Sequence, residues 1–270
     1  MIAKAVAIVV VVASVLAPAR GHAAVPDTVY LEALTWTELQ ELIQAGRTTI
    51  IVPTGGTEQN GPHMALGKHN VRVKALAGLI ARTLGNTLVA PVVAYVPEGG
   101  YAPPTGHMRF PGTITLPEEP FERVLEAAAR SFRLHGFRDI VLLGDSGPNQ
   151  PGQRAVAARL NREWAGTPVR VHAIDEYYRA STDGFREVLR SKGYRDEEIG
   201  SHAGLADTAL MLAIDPTLVR ADRLRREGGS SVRDGVEGDP RRASAELGRL
   251  GVDAIVSRTA QAIQRAIANR

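Results

Sequence analysis

Four short segments of this chain are apolar at most of their positions: TTIIV (48–52), TLVAPVVAYV (87–96), DIVLLG (139–144) and PVRVHAID (168–175). A strand with one wet face alternates polar and apolar residues, whereas a strand that is apolar throughout is covered on both faces. That pattern marks a parallel sheet between helices. Helical patterns separate the strands. In TWTELQELIQAG (35–46), Trp36, Leu39, Leu42 and Ile43 share one face, with Thr35 as N-cap and Gly46 as the stop. VRVKALAGLIARTLG (71–85), LPEEPFERVLEAAARSFRLHG (116–136) and NQPGQRAVAARLNREWAG (149–166) continue the alternation. GFREVLRSKG (184–193), a helix starting near Asp207 and a long amphipathic segment closing the chain complete it. No repeat of 20–50 residues and no low-complexity linker divides the sequence, so residues 24–270 are expected to form a single α/β domain.

Residues 1–23 read as a secretory signal peptide: Lys4, an uncharged run from Ala5 to Leu16, then the small-residue sequence Gly21-His22-Ala23. The run is well short of the roughly 20 residues that cross a bilayer, so the expectation is cleavage, no stable membrane anchor, and a periplasmic or secreted protein. The 270 residues carry 32 Lys and Arg against 29 Asp and Glu, and Lys4 and Arg20 lie in the leader. The remainder is therefore close to neutral, and beyond RADRLRRE (220–227) it has no basic cluster, which argues against nucleic acid as a partner. Cysteine is absent. Stability must then come from the core, a bound metal or oligomerisation.

In a parallel sheet, ligands gather at the carboxyl ends of the strands. Three polar clusters stand there: GGTEQNGPH after the first strand, YVPEGGYAPPTGHMRFPGT after the second and GDSGPNQ after the third; SHAGLADT lies at a helix start. Glu58 either binds a divalent metal or acts as a base, or it satisfies loop amides and caps a helix. His63 and His69 lie six apart rather than at helical ligand spacing, and as loop residues read as hydrogen-bonding groups. Asp145, at the end of a buried strand, needs a metal or strong donors, unless it caps the next helix. His202, between Asp196 and Asp207, is either a general acid or base or a surface residue at a helix entrance. GDSGP matches the serine-protease pentapeptide, with Ser146 as nucleophile, but those enzymes are cysteine-rich β-barrels; Gly-x-Ser-x-Gly is also missing.

Five stretches, GGTEQNGPHMALGKHN, GHMRFPGTITL, VLLGDSGPNQ, SHAGLADTALML and GVEGDPRRASAELG, together resemble the creatininase family of amidohydrolases, in the family's order. The resemblance implies a three-layer α/β/α subunit with a mainly parallel sheet, assembled as a homo-oligomer, commonly a hexamer. It also implies a two-metal site, typically zinc or manganese, of which one or two ions are expected here, and hydrolysis of a non-peptide C–N bond in a small or cyclic amide. The motif Glu-x-His-Gly-Pro-His keeps Glu58 and His63 but has Asn60 at a ligand position. Leu-Gly-Thr-Asp reads Leu66-Gly67-Lys68-His69, Ser146 replaces a histidine, and His-Ala-Gly-x-x-Glu-Thr ends in Asp207-Thr208. The substituted set is expected to rearrange, with Glu58, His69, Asp145 and Asp207 holding metal, His202 and Glu58 as the catalytic groups and His202 moving protons. Tyr101, His107, Arg109, Asn60 and Ser146 are the candidate substrate contacts. The alternative outcome of these substitutions is a metal-free binding or structural oligomer.

Overall fold

The computed structural model describes residues 25–224 and 232–269, so the leader at 1–23 lies outside the described residues. Four strands, β1 (Thr49–Thr54), β2 (Thr87–Val89), β3 (Asp139–Gly144) and β4 (Arg170–Ala173), form one sheet in the order β2-β1-β3-β4. Every pairing is parallel, with Ile51 opposite Val89 on one side and Val141 on the other. The helices are α1 (Trp36–Gln44), α2 (Lys68–Leu84), α3 (Glu118–Leu134), α4 (Asn149–Glu163), α5 (Asp175–Arg179), α6 (Phe185–Ser191), α7 (Asp196–Ile199), α8 (Leu205–Ile214), α9 (Ala221–Leu224) and α10 (Ala245–Ala268). Thr35 closes a capping box with Glu38 at the start of α1, as its sequence signalled.

Neighbouring strand residues divide between two cores. Ile51, Val89, Val141 and Leu143 face α2, α5, α6, α8 and α10 through Leu76, Ile80, Tyr177, Phe185, Leu210 and Ile255. Ile50, Val52, Leu88, Ile140 and Leu142 face α3 and α4 through Phe121, Leu125, Val156, Leu160 and Trp164, with α1 packed alongside. The result is the three-layer α/β/α arrangement. The apolar strands follow directly from it, because both faces of each are buried.

Two of the boundaries that differ from the sequence reading shape the site. The ladder of β2 stops at Val89, since Pro91 has no N–H to give; past it, only Val93 stays beside β1, exchanging bonds with Gly55 (3.0 Å) and Pro53 (2.9 Å). α2 starts at Lys68 rather than Val71, which puts Lys68 and His69 in the helix's first turn, next to Arg72, instead of in a loop.

All four strands end at one rim. α4 fastens it: Asn149 Nδ2 donates to Thr54 Oγ1 (3.0 Å) and to the Gly55 carbonyl (2.9 Å), Gln153 Nε2 donates to Thr54 Oγ1 (2.7 Å), and Gln150 Nε2 to the Gly144 carbonyl (2.9 Å). On the opposite side of the rim, His202 and Glu237 form an isolated antiparallel bridge, with Glu237 N donating to the His202 carbonyl at 2.8 Å. The approach requires Gly200, whose φ is +69° and where a Cβ would lie 1.9 Å from the Glu237 carbonyl oxygen. Gly200→Ala should therefore cost more than about 2 kcal/mol in urea unfolding, combining left-handed strain with a backbone collision. It should also displace His202. An unchanged unfolding midpoint would show that the bridge does not depend on this glycine.

Candidate active site

Three carboxylates converge at the rim, each brought by a different element: Glu58 from the loop after β1, Asp145 from the residue after β3, and Asp207 from the first turn of α8. α2 supplies a cation for each. His69 Nε2 lies 2.6 Å from Glu58 Oε1 and its Nδ1 2.6 Å from Asp145 Oδ2, an arrangement in which each ring nitrogen must donate, since carboxylates only accept. Arg72 Nε donates to Asp145 Oδ2 (2.9 Å) and its Nη1 to Asp207 Oδ1 (2.6 Å). Lys68 Nζ, in a side chain only 1% exposed, donates to Asp207 Oδ2 (3.2 Å) and stands 3.6 Å from Glu58 Oε1. Tyr177 on α5 adds a 2.5 Å hydrogen bond to Asp145 Oδ1, and Ala203 N gives one of 2.9 Å to Asp207 Oδ2.

These contacts set the ionisation of the network. Burial works to raise all three acids, but His69 and Lys68 outweigh it at Glu58, Arg72 and His69 at Asp145, and Lys68 and Arg72 at Asp207. All three stay ionised far below neutral pH. Glu98 behaves oppositely. It is buried beside Glu58, and Gly56 leaves it room, since a Cβ there would lie 2.4 Å from Glu98 Oε1. Burial first, then the Glu58 charge, push Glu98 up to about 9, so it is neutral at pH 7.

A second group opens toward solvent. Glu58, His107 and His202 each present a ligand atom within 4.8 Å of the others, with His107 Nε2 3.2 Å from Glu58 Oε2 and His202 Nδ1 3.7 Å from Glu58 Oε1. One carboxylate and two imidazoles with an open side suit a single divalent ion of the catalytic type. His202 Nε2 donates to the Gln59 carbonyl (2.9 Å), which leaves Nδ1 bare for a metal. Burial and then Lys68 push His202 down to about 4. At neutral pH it therefore carries no spare proton, which fits a ligand better than an acid. His107 Nδ1 lies 3.0 Å from Gln59 Nε2, while Gln59 Oε1 accepts from Gly61 N (2.9 Å). That amide orientation places the His107 proton on Nε2. Turning the amide so that Oε1 accepts from Nδ1 would free Nε2 for a metal.

Of the four side chains expected to hold metal, only Glu58 belongs to this open group. His69, Asp145 and Asp207 do converge, but their polar atoms are spent on one another, Arg72, Lys68 and Tyr177. Asn60, at an expected histidine position, uses its amide to join the Glu58 and Ala65 carbonyls (2.9 and 3.1 Å) and so shapes the loop. Ser146 is buried and borders a cavity of about 230 Å³ shared with Glu58, Lys68, His107, His202 and Asp207. Arg109 lines an adjoining cleft of about 550 Å³ with Gln59, His107, Phe110 and His202. Tyr101 is 66% exposed, at a loop tip outside both. His63 is buried against Thr208 Oγ1 (3.0 Å), a structural contact. A third pocket, of about 410 Å³ beneath Tyr95, Leu116 and Phe132, has no carboxylate or imidazole in its lining. Lys68, Arg72, Gln59, Glu98 and Tyr177 were not singled out from the sequence. The first two were readable in principle, since buried cations in a helix that follows a polar loop signal buried acids.

The family profile described as Creatininase: Creatinine amidohydrolase matches residues 32–263. The chain belongs to the creatininase family. It is 28% identical over 203 residues to the creatinine amidohydrolase of Pseudomonas putida, covering 73% of this chain and 76% of that one. It is also 28% identical over 240 residues to the mycofactocin precursor peptide peptidase of Mycolicibacterium smegmatis, covering 80% and 84%. A solved creatininase structure with manganese superposes with a TM-score of 0.73 at 26% identity, covering 89% of this chain and 99% of that one. Manganese and zinc enzymes are thus its structural neighbours.

A carboxyl whose folded pKa is raised stabilises the fold only below its unfolded value near 4.5, and that contribution is lost as pH climbs toward 9. Glu98→Gln should therefore stabilise the protein by on the order of 2 kcal/mol at pH 7–8 and have little effect at pH 4, measured by urea unfolding at both pH values. Equal effects at both would contradict the neutral carboxyl. Gln59→Glu, which can only accept from His107 Nδ1, should tighten zinc binding by about tenfold, read by competition with a chromophoric chelator.

Proposed function

We propose that this member of the creatininase family is an exported hydrolase that uses a single divalent ion to cleave a non-peptide C–N bond in a small or cyclic amide. The observation that supports it most is the open Glu58, His107 and His202 group beside the 550 Å³ cleft. A divalent ion held there would polarise the substrate carbonyl and make water a better nucleophile. The protein's own groups do the positioning. Gln59 orients both imidazoles, one through its carbonyl and one through its side-chain amide. Glu58 is fixed by His69 and Lys68, which leaves Oε2 toward the opening. Arg109, an exposed cation on the cleft wall, would hold a polar or anionic part of the substrate. His202 takes a ligand's role here rather than a proton shuttle's, because its Nε2 hydrogen is committed to a carbonyl.

The two cavities are of a size for a small molecule rather than an extended chain. Secretion is supported by the leader pattern, and no helix among the described residues is long and apolar enough to cross a membrane. Family members are oligomeric enzymes, and Tyr95, Val124 and Leu134 are large apolar side chains left exposed on the monomer, so a homo-oligomer, a hexamer by resemblance, is part of the proposal.

The test is metal content together with hydrolysis of a panel of lactams, cyclic ureas and short peptides. The wild type should bind zinc or manganese and open a cyclic amide. His202→Ala should abolish both, and Arg109→Ala should raise KM about tenfold with kcat little changed, because it removes binding and not chemistry. Absence of stoichiometric metal, or activity confined to peptides, would refute the proposal.

A further inference from the structure

We infer that Lys68 is a tethered cation that competes with a divalent ion for Glu58, and that with Arg72 it limits the centre to one metal per chain. This inference rests on the single-ion reading above. Glu58 and Asp145 are buried, Asp207 is half-buried beside them, and all three are ionised, a concentration of negative charge that needs cations close by. Here the counter-charges are built into α2. Arg72 spans Asp145 and Asp207 with bonds of 2.9 and 2.6 Å, and His69 spans Glu58 and Asp145 with two of 2.6 Å. The Asp145 oxygens receive Arg72, His69 and Tyr177, so no place is left there for a metal.

Lys68 differs from the other two because its hold is loose. Its ammonium sits 3.2 Å from Asp207 Oδ2 and 3.6 Å from Glu58 Oε1, a carboxylate that also belongs to the open metal group. The same Glu58 oxygen lies 3.7 Å from His202 Nδ1. A dication arriving between Glu58 and the imidazoles therefore meets a fixed positive charge on the other side of the carboxylate, and their repulsion lowers its affinity. Asp207 moderates this by drawing Lys68 away from Glu58.

The two sides of Lys68 give opposite signs for two substitutions, read with Zn²⁺ alone by chelator competition and by metal analysis of the purified full chain. Wild type should bind one equivalent, lost in His107→Ala. Lys68→Met, which keeps the length and removes the charge, should bind zinc at least about tenfold more tightly. Asp207→Asn should bind it severalfold more weakly, because Lys68 then rests on Glu58 alone; this variant decides the question if Lys68→Met fails to fold. Unchanged affinity in either folded variant, or two equivalents in wild type, would overturn the inference. If wild type binds no zinc but Lys68→Met binds one, the hydrolase reading falls and the competition stands. If neither binds, both fall.

Discussion

Glu58 and Asp145 are buried at the rim with Asp207 half-buried beside them, and without partners the two buried carboxylates could not remain ionised. Helix α2 makes their burial possible, and it does so against its own interest. Lys68 and His69 are its first two residues, the end of a helix where the backbone dipole disfavours positive charge, and Gly67 offers no capping side chain. The position is stabilised because the carboxylates lie directly in front of it. Cation and acid each make the other's location tolerable, so the loop after β1, the end of β3 and the start of α8 are all registered against one helix.

That mutual dependence divides the site into two parts with different duties. The inner part is an ion-pair network on the wall of the 230 Å³ cavity, and removing one member would strand its partner at a cost of about 3–5 kcal/mol. The outer part, Glu58, His107 and His202, has open coordination and faces a cleft. Glu58 is the one residue in both. Its inner oxygen is held by His69 and Lys68 while the outer one turns toward His107, so the stability of the network and the chemistry of the opening meet at a single carboxylate.

The architecture was legible because burial on both faces of a strand writes itself into composition: Ile50 and Ile51 had to find separate cores, and they did. The length of β2 was not, since one proline cut a run whose apolar character continued. Within the site, Glu58 and His202 were visible as polar groups beside apolar segments. The roles of His69 and Asp145 were harder to read, because a buried acid is satisfied equally by a metal or by a protein cation, and the choice depends on where α2 begins. Moving that start from Val71 to Lys68 turned a loop histidine and an unremarked lysine into the acids' partners. His107 and Gln59 depended on how a long loop folds back over the rim, which no periodicity encodes.

The substitutions that distinguish this chain from the family pattern are coupled by charge. Where the pattern has Thr-Asp, Lys68-His69 removes an acid and adds two donors, and these occupy the acids that remain. Where it has histidines, this chain has Asn60 and Ser146, so two imidazoles are withdrawn. Random loss would leave carboxylates without partners, at several kcal/mol each. Instead every ionised acid of the network has a counter-charge, and Glu98, buried against the Glu58 charge, is held neutral. The rearranged site is thus a consistent electrostatic solution, in which side chains do work that a metal would otherwise do and the remaining imidazoles are gathered at its edge.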